Sequence, residues 1–149
     1  MQAFRAAVEA RDSGAIEELL AEDVVFTSPV VFRSYPGKAI TAAILRNVLE
    51  VFENFRYERE VVDEGGRDVV LIFRAEVGGR EVHGCDILHL GEDGLIDDFA
   101  VMVRPLSGAQ ALAAAMGARF DRIVAEAASA ASAASVASAP AVDGSSGRR

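Results

Sequence analysis

The sequence predicts an α+β fold in which short helices and one long helix precede a curved antiparallel sheet. Two observations lead there. Apolar residues recur near every 3.6 positions through much of the first half and alternate with period two through the second. Between the alternating runs stand Gly65-Gly66, Gly78-Gly79 and Gly91-Glu92-Asp93-Gly94, turns short enough to make consecutive strands antiparallel.

The elements follow in chain order. Phe4, Ala7, Val8 and Arg11 share one face of a first helix, which Asp12 or Ser13 breaks and recaps. A second short helix carries Ile16, Leu19 and Leu20. Val24-Val25-Phe26-Thr27 is β-branched and aromatic and reads as a strand, ended by Ser28-Pro29 because proline lacks a ladder donor. Tyr35-Pro36-Gly37 is a turn. Ile40, Ile44, Val48, Val51, Phe52 and Phe55 then place a long amphipathic helix from Lys38 to about Asn54.

Four strands follow, Phe55 to Glu64, Arg67 to Val77, Arg80 to Leu90 and Leu95 to Arg104. After Pro105, Ser107 caps a last helix with Leu112, Met116, Phe120 and Ile123 on one stripe. Residues 1–124 thus form one domain. Residues 125–149 are rich in Ala, Ser and Gly with little to bury, and read as a disordered tail.

Composition narrows the function. The chain has 149 residues, 51% hydrophobic, which suits one globular domain. Its net charge of -8 repels phosphate backbones and anionic headgroups, which argues against nucleic acid and bare membrane as partners. Cys85 is the single cysteine, so neither an intrachain disulfide nor a cysteine-based zinc site forms. The opening MQAFRAAVEARD has no apolar signal core, and the uncharged stretch between Glu126 and Asp143 is short of the roughly 20 apolar residues a membrane span needs. A cytoplasmic protein is expected.

Three stretches carry a family resemblance. EARDSGAIEELLAEDVVFTSPV reads as paired helices leading to a strand that ends before a proline. YPGKAI reads as a glycine-led helix start, and GCDILHLGEDGLIDDFAVMVRP as two closing strands. Together, over residues 3 to about 120, they resemble the SnoaL-like group of the nuclear transport factor 2-like superfamily. That resemblance implies a cystatin-like α+β roll: a cone-shaped sheet wrapped around the long helix, with a hollow between them. It also implies pairing of two subunits sheet to sheet, and substrates that are apolar carbonyl or polyketide-like compounds.

Asp86 is the leading candidate for chemistry. It shares a strand face with Val82, Gly84, Leu88 and Leu90, an enclosure that disfavours its charged form and raises its pKa. That suits a general acid, a general base or a neutral hydrogen-bond donor. The plainer reading is an aspartate bonded to nearby backbone or water at the mouth of the cone. By its context CDILHL, Asp86 matches the protonated aspartate of ketosteroid isomerase, a member of the superfamily. The other matching positions depart from that enzyme. Ser28 stands where it has its catalytic base, and Phe4 where it has a phenolic donor. Serine without a partnered base does not abstract a carbon-bound proton, so steroid isomerisation by that mechanism is not expected.

Other residues are weaker candidates. Ser28 suits a hydrogen bond to a ligand or a local turn before Pro29. Phe4, Phe26, Phe52, Phe99 and Val101 are core residues that would line the implied hollow and touch an apolar ligand. Asp97 shares parity with Phe99, toward the rim or solvent. His83 and His89 lie about 20 Å apart on one strand, too far to chelate one metal. Arg33, Tyr35 and Tyr57 lie in or beside loops, near an entrance.

No phosphate loop, nucleophile elbow or HExxH motif is present, and neither a cofactor nor a metal is implied. The partner expected is a hydrophobic small molecule. Three readings stay open: an enzyme using Asp86, a binder of the same compounds, and a dimerising domain with a filled core. A second copy is expected on the outward sheet face, where Ile72, Cys85, Ile87, Ala100 and Met102 lie among Arg74 and Glu76.

Overall fold

The computed structural model describes residues 1–137. Helix α1 (Gln2–Glu9) buries Phe4, Ala7 and Val8, and α2 (Ser13–Glu18) buries Ile16. Asp12 is the cap of α2, its carboxylate accepting from the Ala15 amide at 3.0 Å. The second helix is shorter than its apolar residues suggested. Leu20 opens strand β1 (Leu20–Thr27) instead, where it is fully buried and in register with Ile96. A place beside the sheet satisfies the Leu19 carbonyl, which accepts from the Ile96 amide, as well as another helical turn would.

Strand β2 (Ser34–Pro36) pairs antiparallel with β1, so Tyr35 and Pro36 belong to the sheet edge as well as to a turn. Gly37 then turns the chain at φ 110°, a conformation that L side chains rarely adopt, into helix α3 (Lys38–Val51). This helix ends before Asn54. Phe52 is already extended, and the Arg11 guanidinium donates to the Leu49 and Phe52 carbonyls at 2.8 and 2.9 Å. Those bonds satisfy helix-end acceptors and fix where the chain turns into the sheet.

The second half is the expected meander: β3 (Glu53–Val62), β4 (Asp68–Val77), β5 (Arg80–Leu90) and β6 (Ile96–Arg104). The six-stranded sheet has the order β2-β1-β6-β5-β4-β3, with β1 parallel to β6 and the other neighbours antiparallel. Register shifts within β1, β3 and the β5–β6 ladder bend it. Val69, Leu71, Phe73, Ala75 and Val77 are buried on the face toward the helices, as their alternation predicts.

The expected single C-terminal helix is two. Helix α4 (Leu106–Gly117) and α5 (Phe120–Ala137) meet at Ala118 and Arg119. Gly117 is a poor helix interior residue, and beyond it Arg119 pairs with Glu50 of α3. Further along, Arg46 holds Glu126 at 2.9 Å, which lays α5 along α3. Consequently Leu112 and Ile123 are buried, while Phe120 of the same predicted stripe is 41% exposed.

The stretch expected as a tail begins inside α5, and its remainder, residues 138–149, lies outside the described residues. Both C-terminal helices line the interior side of the fold. On the opposite sheet face Met102 remains 61% exposed, with Ile72, Cys85, Ile87 and Ala100 half-buried beside it. Among the described residues, no helix is long and apolar enough to cross a membrane.

Candidate functional site

Between the concave sheet and the helices lies a cavity of about 490 Å³. Its walls are aromatic and aliphatic. Phe99 packs its ring 5.5 Å from both Phe4 and Phe26, while Phe55 stacks on Phe73 at 5.0 Å and Phe52 meets it tilted at 5.5 Å. Phe4, Phe26, Phe52, Phe99 and Val101 all line the cavity, as does Ser28. The rings therefore pack against one another without filling the interior, and the filled-core arrangement is not the one observed.

Asp86 enters this space from the middle of β5. Its neighbours across the ladder are Leu71 on β4 and Val101 on β6, so apolar side chains flank the carboxylate on both sides. It is only 7% exposed. Burial pushes its pKa up from the ordinary aspartate range to about 7, against the opposing pull of one hydrogen bond. The donor of that bond is Tyr57, whose hydroxyl lies 2.7 Å from Asp86 Oδ2.

Tyr57 is thus no loop residue. It sits within β3, buried, opposite Phe73 in the β3–β4 ladder. Phe55 meets its ring edge-on at 4.9 Å, and the Arg5 guanidinium lies 5.9 Å from the ring centroid. Burial first, then the neighbouring Asp86 charge, raises the phenol pKa, which leaves Tyr57 a neutral donor. Asp86 accordingly has a buried side-chain partner in Tyr57. The sequence position matched to a phenolic donor is Phe4 on α1, but the phenol bonded to Asp86 comes from β3. Phe55 and Tyr57 alternate with Arg56 and Glu58, a period-two signal for an inward face.

The remaining candidates separate clearly. Ser28 lines the cavity, and its Oγ accepts from the Val30 amide at 3.2 Å in the local turn that was one of its two expected roles. Tyr35 also lines the cavity from β2, with exposed Arg33 lying 5.3 Å over its ring. Asp97 does not reach the rim. The β5–β6 register slips beside it, and its carboxylate meets His89 Nδ1 at 2.6 Å. That contact raises the His89 pKa. His83 lies 3.3 Å from Arg104.

These features have counterparts among known proteins. The SnoaL-like domain family model matches residues 1–99, two thirds of the chain. The chain belongs to that family. Two solved structures agree with it over most of their length. A steroid delta-isomerase from Pseudomonas aeruginosa is 43% identical, with 82% of this chain and 89% of that one covered and a TM-score of 0.77. A bacterial protein with a cystatin-like fold from Silicibacter pomeroyi DSS-3 is 37% identical, covering 84% and 89% with a TM-score of 0.78.

A more distant likeness is SalBIII, an epoxide hydrolase/cyclase-like enzyme in pyran ring formation in the polyether salinomycin. It is 19% identical over 70% of this chain and 87% of that one, with a TM-score of 0.59, and shares the fold. No curated protein matches the chain. The fold is accordingly a cystatin-like α+β roll.

Proposed function

We propose that this SnoaL-like protein is an enzyme that performs acid/base chemistry on an uncharged, apolar carbonyl compound, with Asp86 moving the proton. The observation that carries this reading is a carboxyl group poised near pH 7 inside an apolar cavity. A group with that pKa is populated in both protonation states at neutral pH, the condition for efficient proton transfer.

The chemistry follows from the groups present. Ionised Asp86 takes a proton from the carbon beside the substrate carbonyl, and the electron pair moves onto the carbonyl oxygen as an enolate. The protonated carboxyl returns that proton to a different carbon, which completes an isomerisation. In cyclisation or hydration of a conjugated carbonyl, Asp86 takes the proton of the attacking hydroxyl or bound water as its oxygen bonds the β-carbon, and returns that proton to the α-carbon. Tyr57 holds Asp86 in place and moderates its pKa, while the apolar walls exclude competing water. Ser28 supplies no base, so the proton transfer falls to Asp86 alone. The names of the Pseudomonas relative and of SalBIII, an isomerase and a cyclase-like enzyme, lie within this class of chemistry.

The experiment uses uncharged cyclic ketones and enones as probes. Binding is read by thermal shift, since a ligand at 100 times its dissociation constant adds about 2.7 kcal/mol. Proton abstraction is read by NMR as exchange of α-hydrogens in D₂O. Exchange that Asp86→Asn slows by orders of magnitude supports the enzyme. Binding without exchange, weakened modestly by Asp86→Asn, identifies a ligand-binding protein. Neither binding nor exchange across the panel overturns both.

The functional unit we propose is a homodimer formed through the outward sheet face. The apolar patch around Met102, with Arg74 and Glu76 nearby, has the composition of an interface core with a polar rim. The C-terminal helices, the competing cover for that face, are engaged on the cavity side.

A further inference from the structure

The bond between Tyr57 and Asp86 crosses two strand spacings, about 10 Å between backbones, because β4 lies between β3 and β5. The ladder does not by itself aim the phenol across that gap. Its register shifts between Glu53 and Arg56 and again between Tyr57 and Arg59, so β3 is irregular on both sides of Tyr57. The hydroxyl nevertheless comes within 2.7 Å of Asp86 Oδ2.

Ring contacts supply the aim. Phe55 meets the Tyr57 ring edge-on, with centroids 4.9 Å apart and planes at 90°. Phe55 in turn stacks on Phe73, with centroids 5.0 Å apart and planes at 29°. Phe52 leans on both, at 5.6 and 5.5 Å. The three phenylalanine rings brace one another, and Tyr57 stands at the end of the row.

Phe73 differs from its neighbours. It is 1% exposed and, unlike Phe52 and Phe55, forms no part of the cavity wall. Its seat is Gly84. Tyr57, Phe73 and Gly84 lie opposite one another across β3, β4 and β5, and Asp86 comes two residues after Gly84 on the same face. A Cβ at Gly84 would lie 2.6 Å from Cζ and 3.1 Å from Cε1 of Phe73, so the tip of the ring fills the place of the missing side chain. Gly84 does not have a positive φ. Its position requires small size, not glycine's conformational freedom.

We infer that Gly84 and Phe73 are positioning residues for the acid/base pair: the bare backbone of Gly84 seats Phe73, Phe73 fixes the plane of Phe55, and Phe55 aims the Tyr57 hydroxyl at Asp86. The inference rests on the reading of Asp86 as the proton carrier, and neither positioning residue touches substrate. A hydroxyl donated to a carboxylate stabilises its ionised form. Slackening the brace therefore weakens the bond, and Asp86 keeps its proton to higher pH.

The test follows the Asp86 carboxyl through a ¹³C NMR titration in the wild type, Phe73→Leu, Tyr57→Phe and the double variant. Leucine keeps the site apolar but offers no ring to stack. Phe73→Leu raises the Asp86 midpoint by about 0.5 to 1 pH unit. In the Tyr57→Phe background the same change adds nothing, because its effect passes through a hydroxyl already removed. Val77→Ala is the control. Val77 is buried on the same face of β4, outside the cavity wall and away from the aromatic row, so its loss lowers the unfolding temperature without moving the midpoint. Gly84→Ala raises the midpoint as Phe73→Leu does, and if its overpacked chain does not fold, Phe73→Leu decides alone.

A midpoint in Phe73→Leu that is unchanged or lowered overturns the inference. So does an equal rise in the Tyr57→Phe background, or a rise that Val77→Ala reproduces. In each of these cases a wild-type midpoint of about 7 leaves the proposed function standing. A wild-type midpoint near 3.8 contradicts the proposed function, and this inference falls with it.

Discussion

Tyr57 donates its hydroxyl to Asp86 across 2.7 Å, joining β3 to β5 over the intervening β4. The bond opposes the effect of burial on the carboxyl pKa, because it stabilises the charged form. Tyr57→Phe keeps the ring and its contact with Phe55 but deletes the donor. Asp86 in that variant titrates above its wild-type value of about 7. The limb of the pH–rate profile that requires ionised Asp86 moves to higher pH, with affinity for ligand little changed. A limb that stays in place or moves to lower pH contradicts this role for Tyr57.

Burial of Asp86 also sets a pH dependence of stability. Its folded pKa of about 7 lies above its ordinary value of 3.8, so between those values the native state holds a proton that the unfolded state has released. Stability therefore falls as pH rises through that window and levels off above it. The shift corresponds to a destabilisation on the order of 4 kcal/mol at pH 8. Asp86→Asn lacks this titration. Urea unfolding at pH 5 and pH 8 shows the variant gaining on the wild type at the higher pH. A difference between the two proteins that is the same at both pH values contradicts the prediction.

Much of this fold is legible in the chain because its signals are local. The Gly65-Gly66 and Gly78-Gly79 turns and the alternation from Val69 to Val77 specify the meander without tertiary information. The parity of Asp86 with Val82 and Leu88 likewise marks an inward carboxylate before any coordinates. Tyr57 is less legible for two physical reasons. Its strand is at the sheet edge, with both neighbours charged and shifts in register on either side. Its partner is 29 residues away and becomes a neighbour only when the sheet curves. The break after Gly117 is set by the ion pairs that draw α5 onto α3, pairs that no periodicity reveals.

Gly84 supplies a test of how tightly the cavity wall is built. A Cβ at this position would lie 2.5 Å from the Met102 carbonyl oxygen and 2.6 Å from Cζ of Phe73. The backbone oxygen is held in the β5–β6 ladder and the ring is buried, so neither yields cheaply. Gly84→Ala destabilises the fold by about 1–3 kcal/mol, the usual range for overpacking a core. Chemical denaturation checks it, and a change below about 0.5 kcal/mol, the scale of ordinary surface substitutions, goes against it.

The proposed dimer depends on the face bearing Ile87 and Met102. Replacing both with Asp places two charges within an apolar patch that a second copy would bury, while leaving the cavity lining untouched. Sedimentation velocity at micromolar concentration shows a dimer for the wild type and a folded monomer for Ile87→Asp with Met102→Asp. A wild type that is monomeric under those conditions removes the dimer from the account.

The central claim is that Asp86 is a carboxyl group held ready to gain or lose a proton at neutral pH within an apolar cavity. A ¹³C NMR titration of the aspartate carboxyl carbons, assigned by comparison with Asp86→Asn, reads that property without knowledge of the substrate. The account predicts a midpoint of about 7 for Asp86. A midpoint in the ordinary aspartate range near 3.8 would mean that the carboxyl is already ionised and solvated, and would contradict its assignment as the acid/base.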